Sequence, residues 1–148
     1  MNFKIRKAKL QDVSIIYNLG KKIVELDFSK TMHFHDKPEL KDFIRREKTN
    51  IMIVAEKEKQ VVGFLYAHII DTCAGGWCML DNIAVGKEFR KQGIGTALLN
   101  GLYHELKRRK VSYVQILEDA HRKKTKKFWK HKGFKAEKKF VWADRMLR

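Results

Sequence analysis

The sequence is short of proline, cysteine and acid. It has 1 proline, 2 cysteines and 17 acidic residues in 148 positions, against 33 lysines and arginines. Two cysteines do not make a disulfide framework, and no third or fourth metal ligand stands near them, so reduced thiols are expected. No apolar run approaches the ~20 residues that a membrane-spanning helix needs. No repeat, low-complexity tract or linker divides the chain, so residues 1–148 are expected to form a single domain. The start, Met1-Asn2-Phe3-Lys4-Ile5-Arg6, alternates like a strand rather than reading as a signal peptide, and a cytoplasmic location with no membrane role is the expectation. The shortage of acid leaves a formal net charge of +16. Such a chain attracts polyanions: phosphorylated cofactors, nucleic acid or acidic proteins. The same composition also describes a solvated basic surface, so charge alone does not choose among them.

What is present is a folded pattern, with 44% hydrophobic residues. Phe3 to Ala8 reads as a strand. Asp12 caps a helix to about Glu25, with Val13, Ile16, Leu19 and Ile23 on one face. Asp27 to Lys37 is polar and irregular. Pro38 opens a second helix to about Lys48, turning Leu40, Phe43 and Ile44 inward. Ile51 to Glu56 and Val61 to Ile70 are strands joined by a turn at Glu58-Lys59. Trp77 to Val85 pairs back through Gly75-Gly76, a register that sets Cys73 opposite Cys78. A helix follows to about Lys110, striped by Ala97, Leu98, Leu102 and Leu106. Ser112 to Leu117 is a strand, and Lys123 to Lys132 is a short basic helix stopped by Gly133. Phe134 to Glu137 and Val141 to Met146 read as one or two final strands. The order is that of a mixed α+β domain.

The segment Arg90-Lys91-Gln92-Gly93-Ile94-Gly95-Thr96-Ala97 lies between the apolar strand Met79–Val85 and that long helix. Two glycines let the backbone approach a ligand closely. The helix start offers unpaired N–H groups and the positive end of a dipole, which together cradle a pyrophosphate. Arg90 adds a fork of donors suited to phosphate oxygens. The glycine spacing is not the dinucleotide fingerprint, which needs G-x-G-x-x-G after a first parallel strand. Nor is it a P-loop, which needs G-x-x-x-x-G-K-[ST].

Three segments resemble the GNAT superfamily of N-acetyltransferases. Leu80-Asp81-Asn82-Ile83-Ala84-Val85 looks like the strand before the cofactor loop. Arg90 to Gly95 fits the family's [R/Q]-x-x-G-x-[G/A] loop. Phe128-Trp129-Lys130-His131-Lys132-Gly133-Phe134 looks like the end of its last helix. The order of strands and helices matches along essentially the whole chain. The resemblance implies an acyl-CoA N-acyltransferase-like fold, a mostly antiparallel sheet of 6–7 strands flanked by about four helices. It implies acetyl-CoA as acyl donor and direct transfer to a primary amine, either a protein N-terminus or lysine or a small amine. Backbone N–H groups from Gln92 to Thr96, with Arg90 and Lys91, would hold the pyrophosphate. The strand Ile83, Ala84 and Val85 would lie along the pantetheine arm, with Ile83 and Val85 pairing to it as to an added strand. An N–H on that strand would polarise the thioester carbonyl.

The catalytic residues are less regular. The resemblance implies a carboxylate base, for which Glu118 at the end of the strand after the glycine-loop helix is the first candidate and Asp81 the second. Many relatives carry a tyrosine acid on the last helix, and Trp129 stands there instead. An indole N–H donates a hydrogen bond but is no usable acid. The thiol leaving group, with a pKa of about 8.5, needs little help. Trp129 is expected to pack in the core or against the cofactor. Arg122, Lys123, Lys124, Lys126 and Lys127 depart from the family pattern, and Lys127 is the candidate clamp for the cofactor's 3′-phosphate. His33-Phe34-His35-Asp36 lacks a third partner at ligand spacing, so no metal site is expected. Glu25, Asp27, Asp36 and Glu39 cluster where the acceptor pocket is expected, and would attract a cationic amine. Two other readings stay open here: a CoA-binding sensor without catalysis, and a nucleic-acid-associated binding protein. Either a monomer or a homodimer fits the sequence.

Overall fold

The computed structural model describes residues 2–23, 34–71, 76–118, 121–139, 141, 143 and 145. They fall into two compact units, Met1–Ile116 and Leu117–Arg148.

The first unit holds a five-stranded sheet. Its strands are β1 (Lys4–Lys7), β2 (Asn50–Lys57), β3 (Gln60–Ile70), β4 (Trp77–Val85) and β5 (Val114–Ile116), in that spatial order. The first four run antiparallel, and β5 lies parallel to β4. That parallel step requires a crossover, which α3 (Ile94–Arg108) supplies. The helices α1 (Val13–Gly20) and α2 (Lys37–Arg45) precede β2. The described residues hold five strands rather than the six or seven expected. The segment 134–139 is irregular, and most of 140–148 lies outside the described residues.

Alternation along the strands decides which helix covers which face. Met52, Val54, Phe64, Tyr66 and Ala84 form one buried cluster with Val13 and Ile16 of α1 and Leu40 of α2. Ile53, of opposite parity, faces α3. There Gly101 comes so close that a Cβ would sit 2.9 Å from Ile5 Cγ2 and 3.0 Å from Ile53 Cδ1. Leu98, Leu99, Leu102 and Leu106 fill the rest of that side and are at most 2% exposed.

Local chemistry explains most element ends. Pro38 sits in the first turn of α2, and Asp36 with Glu39 closes a capping box there. Glu58 and Lys59 both take positive φ in a tight turn between β2 and β3. α1 ends at Gly20, earlier than expected, with Lys21 and Lys22 in a turn; residues 24–33 lie outside the described residues. Asp12 precedes α1 but makes no side-chain cap. Its carboxylate instead takes Arg6 at 2.7 and 2.9 Å and the Lys9 N–H at 2.7 Å.

The β3–β4 register differs from the sequence expectation. Cys78 stands opposite Ile69 and Trp77 opposite Ile70, so the connection is wider than a Gly-Gly turn. The expected Cys73–Cys78 pairing therefore fails on the Cys78 side, and Cys73 itself lies outside the described residues. Cys78 is a free, fully buried thiol, and burial pushes its pKa up to about 12.

The second unit contains α4 (Lys123–His131). Trp129 packs edge-on against Phe128 and Phe134, with ring centroids 4.9 and 5.1 Å away. Gly133 takes φ +85° beyond the helix, and Phe134 N–H donates back to Trp129 O at 3.1 Å, a left-handed C-terminal cap.

Candidate active site

The middle of β4 carries an irregularity. Tyr66 pairs with Asn82 and Ala67 with Leu80, so Asp81 is an extra residue bulged out of the ladder. The β4–β5 pairing also stops here, at Leu80 and Ile116. Among the described residues of the first unit, β4 pairs from Asp81 onward with no strand but β3. The Gly86 N–H donates to Val62 O of β3 at 2.9 Å. Peptide groups alternate in direction, so those of Ile83 and Val85 turn toward the open edge. Val85 O on that edge accepts Arg90 Nε at 3.1 Å. The Ala84 side chain points into the core.

Past this edge the chain makes the glycine loop. Lys91 takes φ +61° and Gly93 φ +80°, so two left-handed turns feed directly into α3. Gly93 is the N-cap of α3 and no side chain caps it. The first N–H groups of a helix have no partner within it, so this start presents bare donors and a positive dipole end. Ile94 is buried and anchors the loop, whereas Arg90, Lys91, Gln92 and Gly93 are exposed and Gly95 and Thr96 are half-buried. The Gln92 side chain donates to Glu88 O at 3.2 Å, which keeps its amide off the loop's own N–H groups. Chemically, the loop offers bare N–H donors of the kind that suit a phosphate, next to a strand edge whose peptide groups suit pairing with an extended chain.

On the α1/α2 face, the bulge gathers polar groups inside an aromatic surround. Asn82 Nδ2 donates to the Tyr66 hydroxyl at 2.7 Å, and both residues are buried. Burial raises the Tyr66 phenol, more than the Asn82 hydrogen bond lowers it. The rings of His35 and Phe43 lie edge-on to Tyr66, with centroids 5.5 and 5.2 Å away. Asp81 Oδ2 meets His68 Nδ1 at 2.7 Å, with side-chain exposures of 22% and 37%. Burial pushes the Asp81 carboxyl above the ordinary carboxylate value, against the pull of His68 and of the His35 charge. His35 Nδ1 lies 3.3 Å from Glu39 Oε2.

The loop residues Arg90 to Thr96 and the edge residues Ile83 to Val85 thus come together within the first unit, and Asp81 lies on the same strand. Asp36 and Glu39 are committed to the capping box of α2, each carboxylate accepting the other's backbone N–H at 2.9 Å. Glu25, Asp27 and His33 lie outside the described residues. Among the described residues, no group of three or more His, Cys, Asp and Glu gathers to hold a metal ion. Nor, among them, is any helix long and apolar enough to cross a membrane. Glu118, Lys127 and Trp129 belong to the second unit. Glu118 Oε1 is buried and has no hydrogen-bond partner among the described residues. Lys127 is exposed, and its carbonyl takes the His131 ring nitrogen at 2.8 Å. Sequence reasoning missed His68: the register that sets Cys73 opposite Cys78 places it opposite Ile83, whereas its ladder partner is Met79.

Comparison with known proteins gives a consistent outcome. The family model described as Acetyltransferase (GNAT) family matches residues 20–134. No curated protein matches the chain significantly. An aminoglycoside acetyltransferase, meta-AAC0020, from an uncultured soil metagenomic sample has a similar structure: TM-score 0.80, 18% identity, covering 99% of this chain and 97% of that one. The aminoglycoside 6′-N-acetyltransferase AAC(6′)-Ih of Acinetobacter baumannii gives TM-score 0.80 and 16% identity, covering 99% of this chain and 100% of that one. A predicted acetyltransferase of Clostridium acetobutylicum, solved with acetyl-CoA, gives TM-score 0.75 and 19% identity, covering 96% of each chain.

Proposed function

The chain belongs to the acetyltransferase (GNAT) family, whose acyl donor is acetyl-CoA, and from that premise we propose that it acetylates a primary amine by direct attack on the donor. The observation that carries this reading is the pairing of an uncapped helix start at a left-handed Gly93 with the open edge of β4. The two features suit the two ends of one ligand, a pyrophosphate and an extended pantetheine arm. The N–H groups of Gln92, Gly93, Ile94, Gly95 and Thr96 hold the pyrophosphate, with Arg90 and Lys91 adding positive charge. The peptide groups of Ile83 and Val85 pair with the arm, and an N–H of this edge polarises the acyl carbonyl. Lys127 neutralises the 3′-phosphate and Trp129 lies against the cofactor. Asp81 and Glu118 are the carboxylates that serve the amine's deprotonation, directly or through a neighbouring side chain. The match to the family model runs across both units, which favours reading 1–148 as one acetyltransferase domain. The acceptor is a small cationic amine: carboxylates at Asp81 and Glu39 stand beside an aromatic surround on a chain that is otherwise strongly basic. The aminoglycoside acetyltransferases among its structural neighbours agree with that class.

Calorimetric titration with acetyl-CoA tests the donor site. The wild type is expected to bind in the micromolar range, and Arg90→Ala/Gly93→Val is expected to lose at least ten-fold, about 1.4 kcal/mol. Valine at Gly93 both strains a left-handed backbone position and fills the approach to the loop. Equal binding by a folded double variant would reduce the loop to a turn. A second reading, a CoA-binding sensor, draws on Trp129 standing where relatives carry tyrosine. It requires tight CoA binding with no amine turned over.

A further inference from the structure

We propose that His68 is the base that takes the proton from the acceptor ammonium, and that Asp81 is its positioning residue. This rests on the acetyl-transfer reading and names a residue for it.

An ionised carboxylate only accepts hydrogen bonds. The 2.7 Å contact between Asp81 Oδ2 and His68 Nδ1 therefore puts the imidazole proton on Nδ1. Nε2 is left with a lone pair, and among the described residues it makes no hydrogen bond. A base needs that arrangement: one nitrogen fixed, the other free and turned away from its orienting partner. The bulge lies beside the pair: Asp81 is the extra residue of β4, two positions past Met79, the ladder partner of His68. The same bulge lies where β4 parts from β5 and its edge opens. His68 is 37% exposed, so it is reachable, while Asp81 at 22% is sheltered by its neighbours. A pair serving only the fold has no need of an accessible imidazole.

The groups around it suit an ammonium. Among the described residues, Asp81 on β4, Glu39 on α2, His35 before α2 and Tyr66 on β3 are titratable groups that face this side, and two are carboxylates. With His68 neutral, the pair carries one negative charge and attracts the cation. After proton transfer the pair is an imidazolium beside a carboxylate. Phe43 and Tyr66 wall the site with apolar ring surface.

The step balances as follows. His68 Nε2 takes one proton from R–NH3+, freeing the nitrogen lone pair. That pair forms the N–C bond to the acetyl carbonyl while the C–S bond breaks. The nitrogen's second proton goes to the departing sulfur, giving the amide and the free thiol. His68 then returns its proton to solvent. Because Asp81 is already bonded to the ring, it acts through His68 rather than on the amine.

The test uses the full chain, acetyl-CoA, and three amines: sisomicin, spermidine and a lysine-containing peptide. Thiol release is followed across pH 5.5–9.5, beside calorimetry with acetyl-CoA. His68→Gln is expected to lower kcat/KM with the best amine by about 100-fold or more. It should remove the acid-side limb of the pH profile and leave acetyl-CoA affinity unchanged. Asp81→Asn is expected to lower kcat more than it changes KM. It should also shift His68 away from the Nδ1–H form in 15N NMR spectra. Wild-type spectra showing an Nε2–H ring would overturn the proposal even if a variant failed to fold. So would His68→Gln activity within three-fold of wild type with the acid limb intact, although acetyl transfer itself would stand. A wild type that binds acetyl-CoA and acetylates none of the three amines would overturn both.

Discussion

Glu105 on α3 shows what one side chain does to the pH range of the fold. Its carboxylate is 10% exposed and meets Arg108 at 2.6 Å, Arg109 at 3.1 Å and Lys7 at 3.5 Å. The Arg108 hydrogen bond is the largest influence, and with Arg109 and Lys7 it outweighs burial and draws the pKa down to about 2. A depressed folded-state pKa means stability that is fully present above the unfolded value, about 4.3, and lost as pH falls toward 2. Asp12 works in the same direction. Burial opposes its charge, but the Arg6 hydrogen bonds and the Lys9 N–H outweigh burial and hold it below its ordinary value. We expect thermal unfolding of wild type and Glu105→Gln, measured from pH 7 to pH 2.5, to differ most above pH 5. The gap should narrow steadily as pH falls below about 4.3 and close only as pH approaches 2. A gap that stays constant across the range would mean that the carboxylate's charge contributes nothing and only its shape matters. Arg108 is 59% exposed, so solvent screens its share of the effect.

At the scale of elements, the contact between α3 and the sheet is the tightest seam. Gly101 leaves no room for a Cβ against Ile5 and Ile53. Gly101→Val is expected to destabilise the protein by about 1–3 kcal/mol, from overpacking. Gly101→Ala should do so by less, since helix propensity favours alanine by about 1 kcal/mol. Urea unfolding of the three proteins would check the order, and an alanine variant less stable than the valine one would contradict it. Elements set by their own backbone chemistry were legible in the chain. Pro38 marked α2, Glu58-Lys59 marked a turn, Gly93 marked the start of α3 and Gly133 the end of α4. Features set by pairing across the sheet were not. Pairing through the Gly-Gly turn mis-set the register, because the true connection is longer and Cys78 lands on Ile69. The bulge at Asp81 leaves no local mark: strict alternation of buried and half-buried residues continues straight through it from Trp77 to Val85. The site follows the same division. The glycine loop is a local motif and was legible in the chain, whereas the His68–Asp81 pair joins residues 13 apart on two neighbouring strands. Its only trace in the sequence is a histidine amid the apolar run of β3.

For the whole molecule, the question is where the charge sits. The unit Leu117–Arg148 carries 12 Lys and Arg against 4 Asp and Glu in 32 residues, half of the net +16 in about a fifth of the chain. Along α4, Lys123, Lys126, Lys127 and Lys130 recur at helical spacing and are exposed. Clustered charge of one sign raises the local concentration of polyanions well beyond what the same charge spread evenly would do. Binding of that kind releases counterions, so its affinity falls steeply with salt. We expect a 20-nucleotide single-stranded RNA to bind at 50 mM salt and to be largely released at 200 mM, read by fluorescence anisotropy. Replacing Lys123, Lys124, Lys126 and Lys130 with glutamine removes up to four phosphate contacts. The slope of log K against log salt should then flatten by up to about 3, at ~0.7 per contact on a single strand. Lys127 is left in place because it is the residue assigned to the cofactor's 3′-phosphate, so acetyl-CoA affinity should not move in the same variant. RNA binding that persists unchanged in the quadruple variant would place the polyanion elsewhere on the molecule. No RNA binding at 50 mM would make the basic helix a solvated face, and the nucleic-acid reading would then have no remaining support.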